Sequence, residues 1–190
     1  MVRHLRRYRQ HVARVVDAAF ADRPEWDLPA WAEGHRPGER WEEQDYNRYV
    51  ADRVEGFVCL DRKLVRTPAH RRGFEACDLL GPDGELVHVK KISRRTGSGP
   101  LSHLFAQGIV AVDSLTDRET WHQFVDLVRE QHPARADGLG DRPHTLVFAI
   151  HRSNGLLTPD RLFTFARSEL ASAAVLFQRL GVRLQVCVIP

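Results

Sequence analysis

The stretch Phe74-Glu75-Ala76-Cys77-Asp78-Leu79-Leu80-Gly81-Pro82-Asp83-Gly84-Glu85-Leu86-Val87-His88-Val89-Lys90-Lys91-Ile92 carries most of the structural information in this 190-residue chain. Residues 74–80 and 85–92 are largely apolar, and they flank Gly81-Pro82-Asp83-Gly84, a strong turn signal. They read as an antiparallel β-hairpin. Side chains two apart on a strand share a face, so His88 and Lys90 point the same way. If Gly81 and Gly84 oppose each other, Cys77 faces His88 and Glu75 faces Lys90, with Asp78 opposite Val87. A bulge at either glycine shifts the register by one and brings Asp78 across instead. Both registers are open to the sequence.

Outward from the hairpin, residues 57–60 read as a first strand and residues 42–52 as a helix before it. Residues 94–100 are a polar, glycine-rich loop. A helix follows over residues 100–115, and another starts at the capping-box spacing Thr116-Asp117-Arg118-Glu119 and runs to about residue 131. Residues 132–143 read as a loop. Residues 145–150 are almost wholly apolar. Thr158-Pro159-Asp160 is a helix start with Pro at the first helical position, and residues 183–189 are a further strand. A strand, a helix and a strand with short links predict a right-handed crossover onto a parallel pair. At the other end, Leu5, Tyr8, Val12, Val15, Val16 and Ala19 make an apolar stripe on a helix over residues 2–21, opposite an arginine face. Pro24, Pro29, Gly34, Pro37 and Gly38 then break the pattern, with Trp26 and Trp31 as anchors on the main body. The expected layout is a helical arm over residues 1–40 and one α/β domain with a central mixed sheet over residues 41–190.

Composition bounds the class. A chain of this length buries about 70% of its unfolded surface without a disulfide or metal staple. Hydrophobic residues are 43% and charged residues 28%, as in globular proteins and unlike disordered ones. No apolar run approaches the roughly 20 residues that cross a bilayer. The basic N-terminus is not followed by an apolar segment, so it does not read as a secretory signal. Cys59, Cys77 and Cys187 show no zinc spacing and fit a reducing cytoplasm, the expected location. Only Lys63, Lys90 and Lys91 are lysine among 28 basic residues. The charge is also segregated. Residues 62–95 hold Arg62, Lys63, Arg66, Arg71, Arg72, Lys90, Lys91, Arg94 and Arg95 against four acids, a stretch suited to a polyanion.

A carboxylate and a lysine on one sheet face, beside a basic surface, suit metal-assisted hydrolysis of a phosphodiester. Glu75 and Asp78 are the candidate ligands of a hard divalent cation, Mg²⁺ or alternatively Mn²⁺. Such an ion polarises the phosphoryl oxygen and lowers the pKa of an attacking water. Lys90 would stabilise the developing charge, since an ammonium is a compact point charge whose pKa can adjust, unlike a guanidinium. A Glu75–Lys90 pair that only stabilises the hairpin, by about 0.2–1 kcal/mol, is the plainer alternative. His103 and Gln107 are four apart on one helix face. Their helix begins after Gly97-Ser98-Gly99-Pro100, where a phosphate could dock. Asp61 ends the first strand and either faces the site or pairs with Arg62 or Lys63. The arginines and lysines of residues 62–95 would contact backbone phosphates of DNA or RNA, with steep salt dependence. The arginine face of the N-terminal helix suits self-assembly or an acidic protein partner.

A carboxylate in one strand, a hairpin, then x-Lys in the next resembles the PD-(D/E)xK nuclease superfamily, with its restriction-endonuclease-like three-layer fold. The element order, ending in a βαβ unit, is similar to that core. The resemblance implies Asp78 or Glu75 as metal carboxylate, Lys90 as motif lysine, Glu43 as the acid of the preceding helix, and Gln107 as a glutamine of the following one. The motif acid is His88 here. Either Glu75 supplies the missing carboxylate, or the site binds nucleic acid without cutting. Glu43-x-x-Tyr46-Asn47, Leu60-Asp61-Arg62-Lys63, Glu75-x-Cys77-Asp78-Leu79, His88-Val89-Lys90 and Ser102-His103-Leu104-Phe105-x-Gln107-Gly108 also resemble the C-terminal part of a sporadically distributed bacterial family of unknown function. That family is patchy, as mobile and phage-defence genes are. The likeness covers residues 41–130.

Overall fold

The computed structural model of the chain describes residues 2–36, 38–68, 70–93 and 99–190. Pro37, Arg94, Arg95 and the Gly97-Ser98 pair lie outside the described residues. The centre is a five-stranded mixed sheet built from β1 (Val58–Cys59), β4 (Leu79–Leu80), β5 (Leu86–Ile92), β6 (Thr145–Arg152) and β7 (Arg183–Ile189), side by side in that order. The β1–β4 and β4–β5 pairs are antiparallel, whereas β5–β6 and β6–β7 are parallel. A separate two-stranded ribbon pairs β2 (Leu64–Val65) with β3 (Phe74–Glu75). Residues 145–150 are buried throughout, which is why β6 reads as an unbroken apolar run: both its faces are covered.

Alternation along the strands sends side chains into two cores. Leu86, Ile92, Leu146, Phe148, Ile150, Leu184 and Val186 pack with α1 (Val2–Ala21), α3 (Gly99–Leu115), α4 (Arg118–Gln131) and α6 (Thr164–Arg179). Val87, Val89, Val147, Ala149, Cys187 and Ile189 pack on the other side with α2 (Glu43–Arg53) and with Leu28, Trp31 and Trp41. Gly108 in α3 lies against Phe148, so close that a Cβ there would come within 2.6 Å of the ring.

Residues 1–40, expected as an arm, supply part of both cores. Val12, Val16, Ala19 and Phe20 are buried in the larger cluster, and Leu28 and Trp31 in the smaller. Trp31 N–H donates to the Pro190 carbonyl at 2.9 Å, and Trp26 Nε1 donates to Glu85 Oε1 at 2.8 Å. Burial of a Val or Phe side chain contributes about 1.5–3 kcal/mol, so the second half of the helix is an integral layer, while Leu5 and Tyr8 in its first half stay half exposed.

Four local expectations shift. Residues 74–80 form two short strands, because the chain changes partner at Ala76-Cys77, from β2 to β1 and β5. The N-cap of α4 is Asp117, whose Oδ1 accepts from Thr120 N–H at 2.9 Å, one residue after Thr116. Thr158-Pro159-Asp160 opens only a 3-10 turn over Pro159–Arg161, and α6 starts at Thr164. Residues 132–143 contain a short helix, α5 (Pro133–Asp137).

Candidate active site

The hairpin adopts the shifted register. Leu79 pairs with Val87 and Leu80 with Leu86, while Asp78 N–H also donates to the Val87 carbonyl at 2.9 Å. Two residues of one strand therefore face one of the other, the arrangement of a β-bulge, and Asp78 is brought across toward His88. Past this bulge β4 has ended, so β5 from His88 to Ile92 has an edge with no neighbouring strand among the described residues. Carboxylates stand where strand carbonyls would be. Asp78 Oδ2 accepts from Val89 N–H at 2.7 Å, and Glu43 Oε1 accepts from Lys91 N–H at 3.0 Å.

A cleft of about 470 Å³ opens at this edge. Helix α2 contributes Glu43 and Asp45, with Glu42 just before it, and the sheet contributes Asp78, Val89 and Lys90. Asp61, Arg62 and Glu75 enter from the turns around the ribbon, and His103 and Gln107 from α3. Each is fixed by its element. Glu42 N–H donates to Asp45 Oδ2 at 3.0 Å and ties down the first turn of α2, while Tyr46 and Val50 bury the helix against β5. Glu43 then reaches Lys90, whose Nζ donates to Glu43 Oε2 at 2.8 Å. Arg62 adopts a left-handed φ of 60°, uncommon for a side-chain-bearing residue, and its N–H donates to Glu75 Oε1 at 3.1 Å. Gln107 Nε2 donates to the other Glu75 oxygen at 3.5 Å.

The cleft is strongly acidic, with Glu42, Glu43, Asp45, Asp61, Glu75 and Asp78 against Arg62 and Lys90. Burial, then repulsion from Asp61, Glu75 and Glu43, pushes the Asp78 carboxyl up to about 7 despite its bond from Val89. Burial also raises Asp61 above the ordinary carboxylate range, against the nearby Arg62 and Arg48 guanidiniums. Asp61 Oδ2 is buried and has no hydrogen-bond partner among the described residues. As the side chains stand, no three His, Cys, Asp or Glu among the described residues converge on one ion position.

A family model described as a family of unknown function, DUF6119, matches residues 5–190. The chain belongs to that family. The match takes in the N-terminal helix as well as the sheet, and so runs well beyond residues 41–130. No curated protein matches the chain. No solved structure matches it either.

Of the residues singled out in this DUF6119 chain, Lys90, Glu75, Asp78, Gln107, His103, Glu43, Asp61 and Arg62 all line the cleft. His88 does not. It is 1% exposed beneath the cleft, near Phe148, and burial lowers its pKa to about 4, so the ring is neutral. Its Nδ1 lies 3.9 Å from Asp78 Oδ2. Lys91 points the other way, its Nζ donating to the Trp41 carbonyl at 3.3 Å and lying 5.1 Å from the Trp31 ring centroid. Lys63, Arg66, Arg71 and Arg72 are exposed on and around the β2–β3 ribbon, and none of them forms an ion pair among the described residues. Sequence reasoning missed Glu42 and Asp45 in the cleft, although three acids in four residues at a helix start were the signal. Asn47, quoted there with Tyr46 but given no role, lies one turn beyond Glu43; it is 0% exposed and its amide has no partner among the described residues. Among the described residues no helix is long and apolar enough to cross a membrane.

Proposed function

We propose that this DUF6119 protein is a metal-dependent nuclease, hydrolysing phosphodiester bonds of DNA or RNA in the acidic cleft, on a restriction-endonuclease-like core. The observation that carries this reading is the meeting of Asp78 and Lys90 at the free edge of β5, with Glu75 and Gln107 beside them. The resemblance to patchily distributed genes makes phage defence the fitting biological setting.

The donor set suits a hard cation. Asp61 has a buried, unpartnered oxygen, and Asp78 is made hard to ionise by burial and by its acidic neighbours. A divalent ion relieves both costs. Magnesium is commonly bound through one or two carboxylates, with waters and substrate phosphate completing the shell, so three converging side chains are not required. Asp78 and Glu75 would hold it, with Asp61 alongside. Held there, Mg²⁺ or Mn²⁺ supplies Lewis-acid polarisation of a phosphoryl oxygen and a lowered pKa for bound water.

The remaining work falls to the chain. Lys90 places an ammonium beside the charge that develops on phosphate, and Glu43 orients it through the 2.8 Å bond. Gln107 and the Arg62 N–H fix the two Glu75 oxygens. His103 lines the same wall and can hydrogen-bond the attacking water or leaving oxygen. Lys63, Arg66, Arg71 and Arg72 offset the acidic cleft by gripping the polyanion outside it.

A second reading is favoured by one observation. His88 occupies the motif-acid position and is buried as a neutral ring, so it adds no charge to the cleft. The site would then bind nucleic acid without cutting it.

Thermal unfolding with and without Mg²⁺ or Mn²⁺, near neutral pH, tests the metal assignment. The ion is expected to raise the wild-type midpoint, by about 2–4 °C for each kcal/mol of binding free energy. Asp78→Asn is expected to abolish both that rise and any cleavage. An equal rise in wild type and variant would remove the cleft as the metal site.

A further inference from the structure

We propose that the groove adjoining the cleft seats an unpaired nucleobase, so that the protein takes single-stranded nucleic acid, an inference that rests on the phosphodiester reading above. A second depression, of about 280 Å³, shares Glu75, His103 and Gln107 with the cleft. Its remaining wall is apolar: Phe74, Ala106 and Val110. On α3 the four positions 103, 106, 107 and 110 follow the i, i+3, i+4, i+7 pattern, so one helix face runs from the cleft along this groove. Val110 is 41% exposed, and so is a large apolar side chain left in water. Leu64, 39% exposed, pairs with Glu75 across the ribbon and so shares its face. The groove is smaller than a site for a whole drug-sized ligand, which suits one ring of a larger molecule.

The chemistry of the two depressions is divided as a nucleotide is. The acidic cleft with Lys90 takes the scissile phosphate and its cation, and the apolar wall next to it takes a planar base. Gln107 stands at the boundary: one N–H of its amide holds Glu75 at 3.5 Å, and the amide has a second N–H and an oxygen that can meet a base edge. Beyond the groove the ribbon carries Lys63, Arg66, Arg71 and Arg72, all exposed, to follow the phosphates of neighbouring nucleotides. A duplex shows base edges in its grooves but keeps the base faces stacked inside. It has no free face to lay on Val110. A single strand has a π face for every base, and packing of that face is tolerant of sequence.

Anisotropy of a short fluorescein-labelled oligonucleotide, with Ca²⁺ in place of Mg²⁺ to arrest cleavage, measures the preference. Wild type is expected to bind the single strand at least about tenfold more tightly than the same sequence as a duplex. Val110→Asp adds repulsion to both polymers, so the ratio of the two affinities isolates the base; it is expected to fall to near one. An abasic single strand should bind wild type as weakly as the duplex does. Val110 is exposed, and the thermal midpoint of the variant checks its folding. Equal affinity for both forms, or a ratio unchanged in Val110→Asp, overturns the base seat while leaving the nuclease reading standing. Failure of wild type to bind any of the three polymers overturns both.

Discussion

Asp78 and His88 lie across the hairpin from each other and are displaced in opposite directions by the same cause. Burial pushes the carboxyl up to about 7 and the imidazole down to about 4, so each prefers its neutral form in the fold. The stability consequences have opposite sign. Between about pH 4 and 7 an unfolded Asp78 ionises while the folded one resists, so its contribution to stability falls as pH rises and then levels off. His88 acts the other way: below about pH 6.5 the unfolded ring protonates first, and stability is lost as pH falls toward 4. Asp78→Asn keeps an oxygen for the Val89 N–H and removes the charge. In metal-free buffer it is expected to be more stable than wild type at pH 8, on the order of 2–4 kcal/mol, with the gap closing below about pH 4. Urea midpoints across that range measure the gap, and one that does not change with pH would refute the shift. This residue is also where the sequence stopped short. The glycines at 81 and 84 announced a hairpin, but whether Asp78 or Cys77 faces His88 depends on one bulged residue. That bulge follows from where the chain leaves β4 for the ribbon, a tertiary choice with no local signal.

At the scale of elements, the site exists because β4 stops early. Its two residues cover only the first part of β5, and the carboxylates of Asp78 and Glu43 satisfy the edge that is left. Helices α2 and α3 then close on that edge from the two faces of the sheet. The approach of α3 requires Gly108, whose missing side chain admits the Phe148 ring. Gly108→Ala improves helix propensity but forces the ring to move. A net loss of about 1–3 kcal/mol is expected from the overpacking, read as a lower denaturation midpoint. A neutral or stabilising result would mean the helix can step back without cost. Helices α2 and α3, and strands β5, β6 and β7, were legible because each is long enough to show an apolar face or, in β6, an unbroken apolar run. Strand β2 was not, since two residues carry no period, and β3 was read only as part of one strand over residues 74–80; so the ribbon that brings Glu75 and the outer arginines to the cleft went unseen. Asp117 in place of Thr116 as the cap of α4 is the same limit in miniature: adjacent residues can both cap, and packing selects one.

Across the whole molecule, the charge layout and the packing layout do not coincide. The first 40 residues looked separable because Pro and Gly follow an amphipathic helix. Val12, Val16, Ala19 and Phe20 are instead a layer of the main core, and Trp31 is tied to Pro190. The Trp26 and Trp31 anchors were readable; the extent of burial was not, because a stripe shows a face without showing what covers it. The three lysines also part company at this scale. Lys90 lines the cleft, Lys91 is held by two tryptophans on the opposite face, and Lys63 stands outside among arginines. Phosphodiester hydrolysis in the cleft is tested by the rate of cleavage of labelled DNA and RNA, single-stranded and duplex, in Mg²⁺ or Mn²⁺, by wild type beside Lys90→Ala. Wild type is expected to cut, and the variant to cut roughly 10²–10³-fold more slowly, as for loss of one preorganised group at a developing charge. A wild type that cuts nothing, or a variant that cuts equally well, would contradict hydrolysis in the cleft.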